Sequence, residues 1–432
     1  MIRSFIHGTE KVFSIYALLL FTGAVLPLLR TGGGSEPDSI QGDPLYQVLA
    51  FGVYAFTALL LAAHWRIVLP VIWRARMMWL LLTIVTCSVL WSTVPELTLR
   101  RSIALFGTTL FGLYFAVRFP MRDQLKLLGW ALGIAATLSV AFVIALPDLG
   151  ISTGSHDGAW RGIFVHKNVL GRLMVLSAII FLLLSVQKSR YRGVRVLGLL
   201  LSVALVVLST STTALLILVT LVGFVCVARI LRWHYSILAS LFISTVAIAI
   251  YAALWLSTNF EPVLDSFGKD TTLTGRIELW DSVGEMIRLR PWFGYGFSGF
   301  WLGWEGPSAE VWFATGWDPV HAHNGYLDLW LALGVVGLLV FAAGFVWAFV
   351  KGSMYIVAGD SADALWPVTY LTFMLIYNFT ESAILRQNSI FWVLYVAVFF
   401  TLIGAPERRA HRAAVRWQPH KLETKTWAPN PP

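Results

Sequence analysis

The sequence predicts an all-α, polytopic integral membrane protein of about twelve transmembrane helices with a long external loop containing short helices. Three observations carry this. Hydrophobic residues make up 57% of the 432-residue chain. Charged residues make up only 13%, against about 25% in an ordinary soluble domain. The apolar residues also fall into about a dozen runs, each near the ~20 residues that cross a bilayer. This composition excludes a soluble enzyme, a disordered chain and an outer-membrane barrel, whose strands alternate apolar with polar. The net charge of +9 points to membrane orientation rather than nucleic acid, because Lys and Arg in a polytopic protein set topology.

The runs lie near 12–29, 45–63, 77–92, 99–117, 125–146, 168–186, 194–209, 213–230, 234–256, 326–350, 365–380 and 388–404. The first has no cleavage pattern and reads as a span rather than a signal peptide. Ser209–Thr213 separates the seventh from the eighth. One helix over both would be about 55 Å long, too long for a ~30 Å core, so a turn is expected. Cys87 and Cys226 fall within runs and read as small core residues, not as a disulfide.

Twelve spans put both termini on one side. The N-terminus, the even-numbered loops and the tail carry about twice the Lys and Arg of the odd-numbered loops, so both termini are expected in the cytoplasm. The chain then divides into nine spans (1–256), a long external loop (257–325), three spans (326–404) and a basic cytoplasmic tail (405–432). The tail, with Arg408, Arg409, Arg412, Arg416, Lys421 and Lys425, reads as a topology anchor that can touch anionic lipid.

Two external loops hold the chemistry-bearing residues. In 257–325, Thr274 can cap a helix whose apolar positions Ile277, Trp280, Val283 and Ile287 are helically spaced and which ends before Pro291. Arg276 in its first turn opposes the helix dipole, which suits an anion site better than stability. It could also simply pair with Glu278 or Asp281. Arg288 and Arg290, in the last turn, complement the dipole. His321 and His323 stand just before the tenth span, where a histidine can act as a base near neutral pH. Asn324 can cap that span. As a metal site the pair lacks a defined third ligand; Asp318, His156 and His166 are the available groups.

The other loop carries Arg161, Gly162, His166, Lys167 and Asn168 at the mouth of the sixth span. Arg161 has only Asp157 as an acidic neighbour, which favours anion binding, while Lys167 can snorkel. Six of the 20 tryptophans, Trp280, Trp292, Trp301, Trp304, Trp312 and Trp317, lie in the long loop. They can anchor at the interface or pack against a flat sugar face.

Arg161-Gly-Ile-Phe164 with Lys167-Asn168, Thr274-Gly-Arg276, and Pro291-Trp292-Phe-Gly294-Tyr-Gly296 leading to His321-x-His323-Asn324-Gly-Tyr-Leu327 resemble the O-antigen ligase and polysaccharide polymerase superfamily, in particular exopolysaccharide polymerases of the ExoQ kind. The resemblance implies transfer of a glycan from a polyprenyl diphosphate carrier to a hydroxyl of a glycan or lipid-glycan acceptor, outside the inner membrane, with no metal or other cofactor. Membrane lipid and other polysaccharide-export proteins are the further partners it implies. Carried over, Arg161 and Arg276 hold the diphosphate, with Lys167, Asn168, Asn324, Trp292 and Trp317 also on the substrates. His323 stands beside the acceptor hydroxyl as a base or an orienting group, supported by His321. Many members carry Arg or Lys after the serine of the Ser209–Thr213 segment, and this chain has Thr210. A transporter or lipid flippase is the competing reading. It expects ionisable groups inside spans, whereas here Arg172 lies near a span end and Glu381 at the last external turn.

Overall fold

A computed structural model describes residues 2–24, 43–153, 157–187, 189–231, 274–357 and 362–416, with the single positions 240 and 244. The expected ninth span (but for those two positions), the start of the long loop, His156, Lys421 and Lys425 lie outside the described residues. Fourteen helices organise the rest: α1 Ile2–Phe21, α2 Pro44–Ala63, α3 Trp65–Arg74, α4 Arg76–Cys87, α5 Pro95–Arg118, α6 Met121–Ala145, α7 Lys167–Ser185, α8 Arg192–Leu208, α9 Thr212–Leu231, α10 Thr274–Leu289, α11 Ser308–Thr315, α12 Gly325–Val357, α13 Trp366–Tyr377 and α14 Ile390–Arg416. Among the described residues there is no β-strand, only an isolated bridge between Ile151 and Trp160.

Five helices (α2, α6, α7, α9 and α12) are long and apolar enough to cross a membrane, and the bent pair α3–α4 would add a sixth. The multi-pass, all-helical class therefore holds, with at least five candidate spans. Local chemistry explains the boundaries. The Asp43 carboxylate accepts the N–H groups of Leu45 (2.9 Å) and Tyr46 (3.2 Å), and Pro44 at the first position needs no N–H partner. The expected turn between α8 and α9 is present: Ser209 Oγ bonds back to the Val206 carbonyl, and Thr210 adopts φ 51°. The sequence pattern gave no sign of α3, which makes an 81° bend with α4. Cys87 and Cys226 are free but exposed on their helices, so they are not core residues.

Hydrogen bonds join the odd-numbered connections to one another. Thr93 donates to the Gly299 carbonyl, Lys167 reaches Thr210, and the Gly325 N–H donates to the Glu381 carbonyl (3.1 Å). The even-numbered ones meet likewise: Arg118 pairs with Glu10 at 2.6 Å, and Gln187 donates to Asp363. This is the alternation expected of successive spans.

The long loop carries its own small core. Leu279, Val283, Met286 and Ile287 of α10 pack with Tyr295, Phe300, Val311, Ala322 and Leu331. The buried stripe thus starts at Leu279, and Ile277, expected on it, is 40% exposed. This core is fastened to α12 by a break in that helix. Gly334 sits at φ 67°, and a Cβ there would strike the Trp292 carbonyl. The backbone groups freed by the break are taken up by the Pro291–Tyr295 turn. Val335 N–H donates to the Pro291 carbonyl (2.8 Å), and Tyr295 N–H to the Leu331 carbonyl (2.8 Å).

Candidate active site

The site is built from the start of α12 outward. Asn324 Oδ1 accepts the N–H groups of Tyr326 (3.0 Å) and Leu327 (3.3 Å), which is the helix cap read from the sequence. The two residues before α12 are clamped at the Ala322 peptide. Its N–H donates to the Asp328 carboxylate at 3.0 Å, and its carbonyl accepts Trp280 Nε1–H at 2.8 Å. Asp328 also accepts Trp301 Nε1–H at 2.8 Å and the Ser382 hydroxyl. Three loop segments are thereby fixed to one buried carboxylate.

This clamp sets the histidines. Their ring centroids are 4.1 Å apart and the planes steeply inclined. His323 takes φ 48°, a left-handed conformation costly for a residue with a Cβ, and the clamp on either side holds it there. The third member of the cluster is Glu381, from the turn after α13. Its Oε2 lies 3.9 Å from His321 Nε2 and 3.8 Å from His323 Nδ1. Asn378 positions this turn: its carbonyl accepts the Gly325 N–H, and its side-chain oxygen accepts the Ala383 N–H. His323 Nδ1 is buried with no hydrogen-bond partner.

Arginines surround the cluster. Burial depresses the His321 pKa well below the usual 6.5, helped by His323 and by Arg386, Arg172 and Arg276. Burial also lowers His323; Glu381 opposes this and Arg276 adds to it. Both imidazoles are therefore neutral at pH 7. Arg172, in the first turns of α7, donates to the Tyr377 hydroxyl and stacks over the Phe391 ring at 5.2 Å. The arrangement can hold an anion against two neutral imidazoles and one carboxylate.

The residues expected from the sequence divide into two groups. His321, His323, Asn324 and Arg276 come together as expected, and the Trp317 ring centroid is 6.1 Å from that of His323. Asn168 joins them through a cavity it shares with Arg172, Tyr377 and Glu381. Lys167 donates to Thr210 at 3.3 Å, so a cation from α7 stands beside the Ser209–Thr213 turn. Arg161 is used otherwise. Its Nε donates to the Leu149 carbonyl at 2.9 Å, closing the helical turn Pro147–Gly150. Trp292 is 66% exposed, and its backbone serves the Gly334 break. Among the described contacts, neither residue is brought to the histidines.

Glu381 and Arg172 had a signal in the sequence, as isolated ionisable residues at span ends. Asp328 and Arg386 had none. The cluster His321, His323 and Glu381 could hold a metal ion, since one ligand atom from each lies within 4.8 Å of the others. Glu381 thus supplies the third group that the motif alone lacked. The hydrogen bonding does not suit a metal, however. His321 Nδ1 accepts the His323 N–H at 3.1 Å, so the proton of the neutral ring sits on Nε2, facing Glu381. A ligating histidine instead turns its N–H toward an outer acceptor and its lone pair toward the ion.

Comparison with known proteins gives the same direction. Residues 197–342, from α8 through the break in α12, match the family model described as O-Antigen ligase. The resemblance to the O-antigen ligase and polysaccharide polymerase superfamily is borne out. The chain is also 25% identical over 358 residues to the exopolysaccharide production protein ExoQ of Rhizobium meliloti (strain 1021), covering 79% of this chain and 77% of that protein. This O-antigen ligase-like region contains the Ser209 turn, Arg276 and both histidines, but neither Arg172 nor Glu381.

Proposed function

We propose that the protein is a metal-independent glycosyltransferase of the inner membrane, a polysaccharide polymerase or ligase. It moves a glycan from a polyprenyl diphosphate carrier to a sugar hydroxyl. The reading rests on one observation above the others: two neutral imidazoles and a carboxylate, ringed by Arg172, Arg276 and Arg386, in a chain similar to polysaccharide-synthesis proteins.

In this reaction the acceptor oxygen forms a bond to the anomeric carbon, and the bond from that carbon to the diphosphate oxygen breaks. The diphosphate leaves with the electron pair, and its developing charge is met by the forked guanidinium groups of Arg276 and Arg172. The acceptor proton passes to the imidazole of His323, whose Nδ1 faces Glu381 and has no hydrogen-bond partner. Glu381 then stabilises the imidazolium at 3.8 Å. A positioned base of this kind contributes about 10²–10⁴-fold. Arg161 frames its own loop, and Lys167 and Asn168 stand at the donor side.

In the full arrangement we infer twelve spans, both termini cytoplasmic and the histidine cluster on the outer face, in keeping with the Lys and Arg distribution. The experiment is a transfer assay with purified protein in lipid nanodiscs, supplied with a polyprenyl diphosphate-linked oligosaccharide and an acceptor glycan. Glycan elongation with stoichiometric release of polyprenyl diphosphate, unchanged by a chelator, is expected. No transfer with any linked oligosaccharide overturns the reading. Activity lost to the chelator and restored by zinc or manganese overturns its metal-free form.

A further inference from the structure

Two cavities flank the histidine–glutamate cluster, and their walls differ. One lies among α7, α9 and α13, where Asn168, Arg172, Thr213 and Glu381 face it beside the apolar side chains of Ile217 and Phe373. Its volume is about 10 Å³, no more than the room of a single water. The other is walled mainly by connecting loops and has a volume of about 120 Å³. That is many times the ~10–15 Å³ that admits one water.

The loop-side cavity has a distinctive lining. Phe297 and Trp301 give it aromatic wall, Arg101 of α5 and Arg386 give it cationic wall, and His321 opens it to the cluster. Its one carboxylate, Asp328, accepts from Trp301, Ala322 and Ser382 and also lies in the field of Arg386. Aromatic surface matches the apolar face of a sugar ring, and paired guanidinium forks match a carboxylate. A diphosphate alone would gain nothing from the aromatic side. Because His321 belongs both to this wall and to the cluster, an acceptor held here would lie against the cluster.

We propose that the loop-side cavity is the acceptor subsite and that it takes a sugar ring bearing a carboxylate, with Arg101 and Arg386 as its binding residues. The inference rests on the glycosyl-transfer reading for the word acceptor, but not for the ligand chemistry. The test is therefore a binding measurement. The full chain in nanodiscs is titrated with glucuronate, glucose and inorganic pyrophosphate, followed by tryptophan fluorescence. Glucuronate should bind about tenfold more tightly than glucose, and Arg386→Gln and Arg101→Gln should each weaken it about tenfold, as loss of charge-assisted hydrogen bonds does. Pyrophosphate binding should be unchanged in Arg101→Gln.

Equal binding of glucuronate and glucose overturns the proposal. So does loss of pyrophosphate rather than glucuronate in the variants, which would make the cavity the diphosphate site. If Arg386→Gln does not accumulate as folded protein, Arg101→Gln alone decides on the same titration. The transfer reading fails separately. Glucuronate binding that needs both arginines, in a protein with no transfer activity, would remove the word acceptor and keep the anionic-sugar site. Where transfer is present, Arg101→Gln should raise the acceptor KM and leave the donor KM unchanged.

Discussion

Two polar clusters lie at the ends of the same connecting segment, 378–389, and they are finished to different degrees. At Asn388 the carbonyl, the side-chain oxygen and the N–H are matched inside the protein. Its carbonyl accepts the Tyr46 hydroxyl at 3.0 Å, its side-chain oxygen accepts the Tyr54 hydroxyl, and its N–H donates to Thr108 Oγ1 at 3.0 Å. At Glu381 the nearest imidazole nitrogens stand at 3.8 and 3.9 Å, beyond hydrogen-bond length, and His323 Nδ1 has no partner. Both clusters contain a left-handed non-glycine residue, Asn388 at φ 54° and His323 at φ 48°. Strain therefore does not distinguish them; satisfaction does. A closed polar network ties α2, α5 and α14 together, while an open one leaves capacity for a ligand.

The largest effect that could break this comparison comes from removing one residue at each end. His323→Ala should lower transfer per folded molecule by about 10²-fold or more, with normal accumulation in the membrane. Asn388→Ala should do the opposite. It should lose about 1–3 kcal/mol of stability while the surviving molecules keep their specific activity. Thermal unfolding in detergent beside a transfer assay reads both. A catalytic defect in the second variant without instability would make the two clusters equivalent.

A somewhat smaller effect is expected at the cations. Arg276→Lys should cost roughly tenfold or more in transfer, because a single ammonium cannot reproduce the guanidinium fork. Arg288→Lys, at the other end of α10, should be nearly silent. Equal activities in the two would separate Arg276 from the diphosphate.

The pH profile sharpens the picture at finer scale. A base must be neutral, and burial moves His323 below its usual 6.5. Activity should therefore be level at pH 7 and above with respect to this group, falling only below about 6.5. Glu381 raises His323, so Glu381→Gln should move the acid limb to lower pH. Arg276→Gln should move it to higher pH. Displacements of the opposite sign would detach the limb from His323.

The smallest perturbation concerns only which face is which. Glu310→Cys, exposed on α11, should be labelled from outside in intact cells, and Tyr191→Cys, exposed before α8, should not be. Neither should alter transfer. The reverse labelling would invert the inferred topology.

Much of the helical frame was legible because long apolar runs have few alternatives in a bilayer. Thus α7 starts at Lys167 and ends at Ser185, against an expected run of 168–186. The bend between α3 and α4 was not legible, since hydropathy carries no direction. At the site, the histidines and Asn324 could be read because a cap and a base adjoin in sequence. Arg161 has no acidic partner in the sequence, and the carbonyl oxygens of Leu149 and Asp148, which accept from it, could not be read there. Around Trp292 the sequence did not show that the backbone would meet the break at Gly334 while the ring stays exposed. Glu381 and Arg386 lie about sixty residues beyond the histidines, and contacts that sequence does not reveal bring the segments together, among them Gly325 N–H with the Asn378 and Glu381 carbonyls and Ser382 with Asp328.

The break at Gly334 bears on how such a chain can be recombined with a relative. Hydropathy suggests a seam at 325/326, where the polar loop gives way to a span. Yet Leu331 accepts from Tyr295, Val335 and Val336 donate to Pro291 and Trp292, and Asp328 holds the Ala322 peptide. The seam therefore belongs beyond Val336. A chimera spliced at 325 would separate the histidines from the carboxylate that orients them, while one spliced past Val336 would keep the histidines, Asp328 and the Gly334 break together.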